Sequence, residues 1–305
     1  MEKVLVTGGA GYKGVVLTRQ LLDQGYKVTV LDNFMYGYTS FLHLLKYPNL
    51  EIIKGDIRNG VERISEFDVV FHLAGISGFP ACSSNPSSAQ SINVDATVKL
   101  AQSLSKSQIL INASTTSMYG KSGLPCDENT PLEPVSKYAQ TKLEVEQILS
   151  GWENIVHLRF ATVFGFSPKM RMDLMVNDFT YKALKERVLV LFDSFAKRTF
   201  IHVEDAAKCY LFTLENFDKM KGQVYNAGGN HLNYSKAEIA NAIAQQLEVN
   251  VIDSSFSDKD LRHFVVNFDK IASLGFEPTI TIEEGISEMI RAFRFFEPFP
   301  TYNTI

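Results

Sequence analysis

The stretch Val4-Leu5-Val6-Thr7-Gly8-Gly9-Ala10-Gly11-Tyr12-Lys13-Gly14 decides how the chain is read. A short apolar run ends in glycines three apart at 8, 11 and 14, and Val15 to Leu22 continues with a helical apolar pattern. A second apolar run, Val28 to Leu31, ends on Asp32. The order is strand, glycine turn, helix, strand, acid. One glycine turns the chain, one admits a pyrophosphate against the backbone, and one lets helix and strand pack closely. The helix N-terminus then presents unpaired N–H groups to phosphate. Asp32, at the end of the second strand, is placed to accept from both ribose hydroxyls of an adenosine. A 2′-phosphate there meets a like charge, so NAD is expected rather than NADP.

Working outward, strands are predicted at Leu50 to Lys54, Val69 to Leu73, Ile109 to Asn112 and Ile155 to Phe160. Helices are predicted at Ser87 to Leu104, where Ile92, Ala96 and Leu100 recur on one face, and at Ser136 to Leu149. Strand and helix alternate through this part, which argues an α/β, doubly wound parallel sheet of Rossmann type, covered on both faces. Asp56, just past a strand end, suits either an adenine amino group or a helix cap. Beyond Gly165 the rhythm changes. A helix is expected over Met172 to Leu184, a strand over Val188 to Phe192, a helix over Glu204 to Leu214 and a short strand at Val224 to Asn226. Ser235 and Glu238 form a capping box at the head of another helix. The expected organisation is a dinucleotide-binding part, 1–165, and a smaller interleaved portion, 166–305, for substrate, with segments around 188–215 returning to the sheet.

The 305 residues suit one large or two unequal domains. A formal net charge of −4 with mixed signs gives no basic footprint for nucleic acid. Cys82, Cys126 and Cys209 are odd in number and scattered, which reads as reduced thiols of a cytoplasmic protein. No apolar stretch approaches the roughly 18 residues of a membrane span, and the first strand begins too early for a signal peptide. The six histidines show no HExxH and no Cys/His cluster, so no metal is expected. His202 reads as structural, and no GxSxG elbow points to a hydrolase.

Tyr138 and Lys142 are four apart on one helix face. A neighbouring ammonium stabilises a phenolate, so the spacing suits a proton-transfer pair, although an ordinary amphipathic helix shows the same spacing. The hydroxyl-rich run Ser114-Thr115-Thr116-Ser117 falls at the carboxyl end of a strand, where doubly wound proteins place ligands.

With these residues in view, the chain resembles the extended short-chain dehydrogenase/reductase family, in its nucleotide-sugar epimerase/dehydratase branch, from Val4 to about Arg294. The marks are TGGAGYKG with Asp32, GDIR (55–58), HLAG (72–75), STTSMYG (114–120), YAQTK (138–142), LRFATVFG (158–165) and RTFIHVEDAA (198–207). The resemblance implies Thr115, Tyr138 and Lys142 as the catalytic set. It implies NAD, tightly bound, against Gly8, Gly11, Tyr12, Lys13, Gly14, Asp32, Asn33, Asp56, Ile57, Leu73, Ala74, Gly75 and Asn93. A nucleotide-diphosphate sugar is implied against Ser77, Gly78, Phe79, Thr116, Thr162, Arg171, Asn177, Arg198 and Arg262. For Arg198 and Arg262 there is an independent argument: a diphosphate in a net acidic protein needs local guanidinium donors.

Departures narrow the reaction. Related 4,6-dehydratases carry Asp-Glu where this chain has Thr116-Ser117, and neither hydroxyl replaces a carboxylate acid or base, so dehydration is not expected. Thr162 stands where many UDP-galactose 4-epimerase relatives have Asn. Lys13 replaces a common apolar residue, either on the helix face or toward the pyrophosphate. What remains is hydride exchange at C4: a 4-epimerase, or else a 4-dehydrogenase or 4-ketoreductase acting on a sugar such as a GDP-heptose or GDP-6-deoxysugar. A 3,5-epimerase/reductase and a non-catalytic NAD-binding regulator are further alternatives. The family also implies a homodimer through a four-helix bundle, with Val94, Val98 and Val145 either at that interface or facing the sheet.

Overall fold

A computed structural model of the chain describes residues 2–122, 125–256 and 263–297. In chain order the strands are β1 (Lys3–Thr7), β2 (Lys27–Asp32), β3 (Leu50–Lys54), β4 (Val69–His72), β5 (Ile109–Thr115), β6 (Pro125–Cys126), β7 (Ile155–Phe160), β8 (Thr162–Phe164), β9 (Val188–Phe192), β10 (Lys197–His202), β11 (Val224–Ala227), β12 (Asn233–Ser235), β13 (Asn250–Ser254) and β14 (Val265–Val266). The helices are α1 (Tyr12–Asp23), α2 (Phe79–Ser84), α3 (Pro86–Gln90), α4 (Ala96–Gln102), α5 (Lys137–Ile148), α6 (Met175–Glu186), α7 (Val203–Glu215), α8 (Phe217–Met220), α9 (Lys236–Ala244), α10 (Asp269–Ala272) and α11 (Ile282–Phe293).

Among the described residues, seven strands form one sheet in the order β11-β7-β5-β4-β1-β2-β3. Every pairing in it is parallel. Alternate side chains of its strands feed two cores. Val4, Val6, Val28 and Val30 pack with Val15, Leu21 and Leu211 of α1 and α7. Leu5, Leu31, Val70 and Leu110 pack with Leu100 and Val145 of α4 and α5. Each such aliphatic side chain taken from water contributes about 1.5–3 kcal/mol, so both faces must stay covered. The strand order reverses between β1 and β4, and the crevice there opens at the carboxyl ends of the strands, beside the glycine turn.

Several expectations are corrected. The helix predicted from Ser87 to Leu104 is broken: α3 and α4 are separated by a π-helical turn, Ser91–Asp95, that carries Asn93. Two helical turns were not expected: α2 lies between β4 and α3, and a 3₁₀ helix, Thr39–Lys46, lies between β2 and β3. The helix expected from Met172 starts at Met175. The short strand expected at Val224 to Asn226 is β11, one residue longer, and it forms the edge of the main sheet beside β7. Within 188–215, β9 pairs with β13 outside that sheet, β10 lies between β8 and β12, and α7 joins α1 on one face. Val94 and Val145 are buried against the sheet within the chain, and Val98 packs on the same cluster, so they give no support to a dimer interface. Among the described residues, no helix is long and apolar enough to cross a membrane.

Candidate active site

Glycine geometry shapes the turn after β1. Gly8 has φ +72°, and a Cβ there would lie 2.6 Å from the Ala74 backbone nitrogen. A Cβ on Gly14 would lie 2.1 Å from the Gly8 carbonyl oxygen, so close helix–strand packing fixes that glycine. Gly11 is different: it is the extended N-cap of α1, and no side chain caps that helix. Its Cβ would meet only the Gly8 oxygen, at 3.2 Å. Its reason is therefore the open face toward the crevice.

That crevice is a cleft of about 680 Å³. Gly8, Gly11, Tyr12, Lys13, Gly14, Leu73 and Gly75 line it together with Thr115, Tyr138 and Lys142. Ser77, Gly78, Phe79, Thr162, Arg171 and Arg198 complete much of the wall. Residues far apart in sequence, from Gly8 to Lys236, thus converge on one cavity.

Thr115 ends β5, and its hydroxyl accepts from the Ser117 N–H at 3.2 Å. Ser136 caps α5 by accepting from the Ala139 N–H, which sets the start of the helix that carries Tyr138 and Lys142. The Lys142 side chain is buried, and it makes no hydrogen bond or ion pair with any described residue. Burial pulls its pKa down to about 8, with the Cys82 thiol and Glu146 opposing. A buried ammonium without an acceptor is costly, and ligand hydroxyls would relieve it.

Asn93 fixes the loop after β4. Its Oδ1 accepts from the Ile76 N–H at 2.8 Å, while Nδ2 donates to the Ile76 carbonyl and to the Thr141 hydroxyl. The π-turn places this amide between the loop and α5, so Asn93 orders the wall without lining it. Thr116 and Asn177 likewise stand behind the wall. The Thr116 hydroxyl donates to the Phe160 carbonyl at 3.1 Å. Asn177 accepts from the Gly165 N–H and donates to the Arg171 carbonyl and the Tyr12 hydroxyl.

At the end of β2, Asp32 accepts from the Ala10 N–H at 3.0 Å and the Phe34 N–H at 2.8 Å. Burial raises its pKa, and these two donors oppose the rise. Asn33 follows it and accepts from the Met35 N–H. Asp56 caps a 3₁₀ turn and is paired with Arg58, which holds its carboxyl below the usual range; Ile57 beside it is buried. Arg262 lies outside the described residues. His202 caps α7 and lies 2.9 Å from Glu288, a structural role.

Two groups escaped the sequence reading. Lys236 lines the cleft along with Lys169, and there lysines and arginines outnumber the carboxylates, Asp173 and Asp178. Behind it, Glu146 receives hydrogen bonds from the Ser114 hydroxyl and Arg159. A signal existed: His157 and Arg159 interrupt the apolar strand β7, and a charged residue inside a buried strand needs a buried partner.

The residues fit NAD: an uncapped helix start for the diphosphate, a carboxylate at the end of β2, and an unpartnered buried ammonium at the inner end. No group of three or more His, Cys, Asp or Glu among the described residues could hold a metal ion.

Comparison with known proteins agrees with this geometry. The chain is 28% identical over 306 residues to a putative UDP-glucose 4-epimerase of Methanocaldococcus jannaschii, covering 94% of this chain and 97% of that one. It is 30% identical over 329 residues to UDP-glucuronate 4-epimerase 4 of Arabidopsis thaliana, covering 94% and 74%. The Thermus thermophilus UDP-glucose 4-epimerase, solved with NAD, superposes with a TM-score of 0.80 at 26% identity, covering 96% and 99%. The fold is also that of the Bacillus cereus UDP-glucuronic acid 4-epimerase, with a TM-score of 0.85 at 23% identity, over 96% and 99% of the two chains. The model of the NAD dependent epimerase/dehydratase family matches residues 4–228. The chain belongs to that family and is an NAD-dependent enzyme.

Proposed function

We propose that this enzyme is a 4-epimerase of nucleotide-diphosphate sugars, with a UDP-linked sugar as substrate, acting through a transient 4-keto intermediate. One observation carries the reading: Thr115, Tyr138 and Lys142 share a single cleft with the glycine turn and with Arg171 and Arg198. The relatives' substrates, UDP-glucose and UDP-glucuronate, support uridine as the nucleoside.

Bound NAD supplies the acceptor for a hydride from C4 and gives it back. The chain's own residues do the rest. Tyr138 takes the proton of the C4 hydroxyl and returns it after the keto sugar has turned over, while Thr115 holds the same oxygen. Lys142 places its positive charge beside the tyrosine and favours the phenolate. Arg198, in β10, is proposed to hold the diphosphate, which fixes the nucleotide while the sugar turns. Thr116 and Ser117 offer no carboxylate for elimination at C5 and C6, which argues against dehydration.

The test is incubation of the purified protein with UDP-glucose and UDP-glucuronate, with NMR of the sugar and absorbance at 340 nm. A C4-inverted sugar without accumulating NADH supports the epimerase. Stoichiometric NADH with a released keto sugar replaces it with a dehydrogenase.

A further inference from the structure

Lys13 is a cation set into the glycine turn. Its Nζ lies 4.0 Å from the centroid of the Phe160 ring and 3.4 Å from the Tyr210 hydroxyl. Phe160 is the register partner of Thr115 across β5 and β7. The ammonium is therefore one strand away from Thr115 and lines the same cavity as Tyr138 and Lys142. Among the described residues no carboxylate pairs with it. The groups facing it are Lys142 on α5, Arg171 on the segment before α6, and Cys209 and Tyr210 on α7. Burial raises the pKa of the Cys209 thiol and the Tyr210 hydroxyl, so neither sets a full negative charge beside Lys13. Burial first, then these cations, bring its pKa to about 7. The two aromatic faces only partly offset that cost.

We propose that Lys13 is a cofactor-tuning residue whose ammonium disfavours the oxidised, positively charged nicotinamide ring, so that this enzyme holds NADH in preference to NAD⁺. The inference rests on NAD occupying this cleft and on the hydride exchange proposed above. The nicotinamide ring loses its positive charge when it accepts hydride, and the diphosphate does not change charge. A lysine that served only the diphosphate would act equally on both forms. One placed beside the hydride-transfer region discriminates between them. Its consequence in turnover is an internal equilibrium displaced toward the bound keto sugar.

The experiment is titration calorimetry of NAD⁺, NADH and ADP-ribose into wild-type protein stripped of cofactor, Lys13→Met and Lys13→Arg, at pH 6.5 and 8.5. Lys13→Met is expected to raise the affinity for NAD⁺ relative to NADH at least tenfold, a midpoint shift of about 30 mV for a two-electron couple. Lys13→Arg keeps the wild-type ratio, and ADP-ribose, which has no nicotinamide, binds all three proteins alike. In wild type the ratio should move toward NAD⁺ as pH rises and Lys13 deprotonates. Lys142 titrates in every protein, so the difference from Lys13→Met isolates Lys13. Equal weakening of all three ligands would make Lys13 a phosphate anchor, and no change would make it a packing residue; either overturns the proposal. Failure of wild type to bind either cofactor would instead overturn the cofactor assignment. Should Lys13→Met not fold, Lys13→Gln serves as the uncharged variant.

Discussion

Arg159 Nη2 lies 2.7 Å from Glu146 Oε2, with both side chains buried behind the active cleft. Glu146 is one turn beyond Lys142 on α5, while Arg159 is on β7, so this pair ties the helix of Tyr138 and Lys142 to the sheet. The Ser114 hydroxyl adds a 2.5 Å bond to Glu146, and Arg159 continues to the Tyr119 hydroxyl at 3.1 Å.

Breaking the pair leaves a buried guanidinium uncompensated. Glu146→Ala is expected to cost about 3–5 kcal/mol, whereas Glu146→Met with Arg159→Met should recover a large part of that. Urea unfolding of the single and double variants checks both. A double variant no more stable than Glu146→Ala would contradict the buried-charge explanation.

Tyr138→Phe should reduce kcat by at least 10²-fold with little change in NAD affinity, because the change removes a proton donor and acceptor but keeps the ring. Steady-state rates and cofactor titration are the measurements. A variant with an unaltered rate removes Tyr138 from the chemistry.

The glycines should separate by role. Gly14→Ala drives a methyl into the Gly8 carbonyl, at 2.1 Å, and is expected to destabilise the fold by at least about 1–3 kcal/mol. Gly11→Ala makes a tight 3.2 Å contact with the Gly8 carbonyl oxygen at an ordinary φ, so it should lower the melting temperature less than Gly14→Ala while weakening NAD binding. Thermal unfolding with and without NAD distinguishes them.

Lys142 gives the ligand-free protein a pH signature. Its folded pKa is about 8 against 10.5 unfolded, so between these values the unfolded chain binds more protons and stability rises with pH. The full swing is about 3 kcal/mol, and Lys142→Met should remove it. Denaturant titrations at pH 7.5, 8.5 and 9.5 read the slope. Lys13, whose pKa is also lowered, keeps part of the slope in Lys142→Met; a wild-type slope of the opposite sign, or one no steeper than that of Lys142→Met, contradicts the assignment.

Much of this architecture was legible because its signals are local. β3, β7 and β9 have the bounds read from their apolar runs, and the doubly wound sheet follows from their alternation with helices. Other features depend on packing. The period of Ile92, Ala96 and Leu100 runs through the π-turn at Asn93, because one wide turn barely shifts an apolar stripe. Nothing in Val224 to Ala227 says that it joins β7, since that choice is made by neighbours distant in sequence. At the site, the glycine turn and the Tyr138/Lys142 spacing were readable. The retreat of Thr116, Asn93 and Asn177 behind the cavity wall was not, because side-chain amides and hydroxyls serve backbone and ligand equally well.

In the proposed mechanism hydride leaves C4 and returns to it within one bound complex. Incubation of the enzyme with UDP-glucose deuterated at C4, followed by NMR of the epimerised sugar, tests it most directly. Deuterium is expected to remain at C4 of the inverted product, with no exchange into added free NAD. Inverted product with hydrogen from water at C4, or deuterium lost to free cofactor, would contradict it.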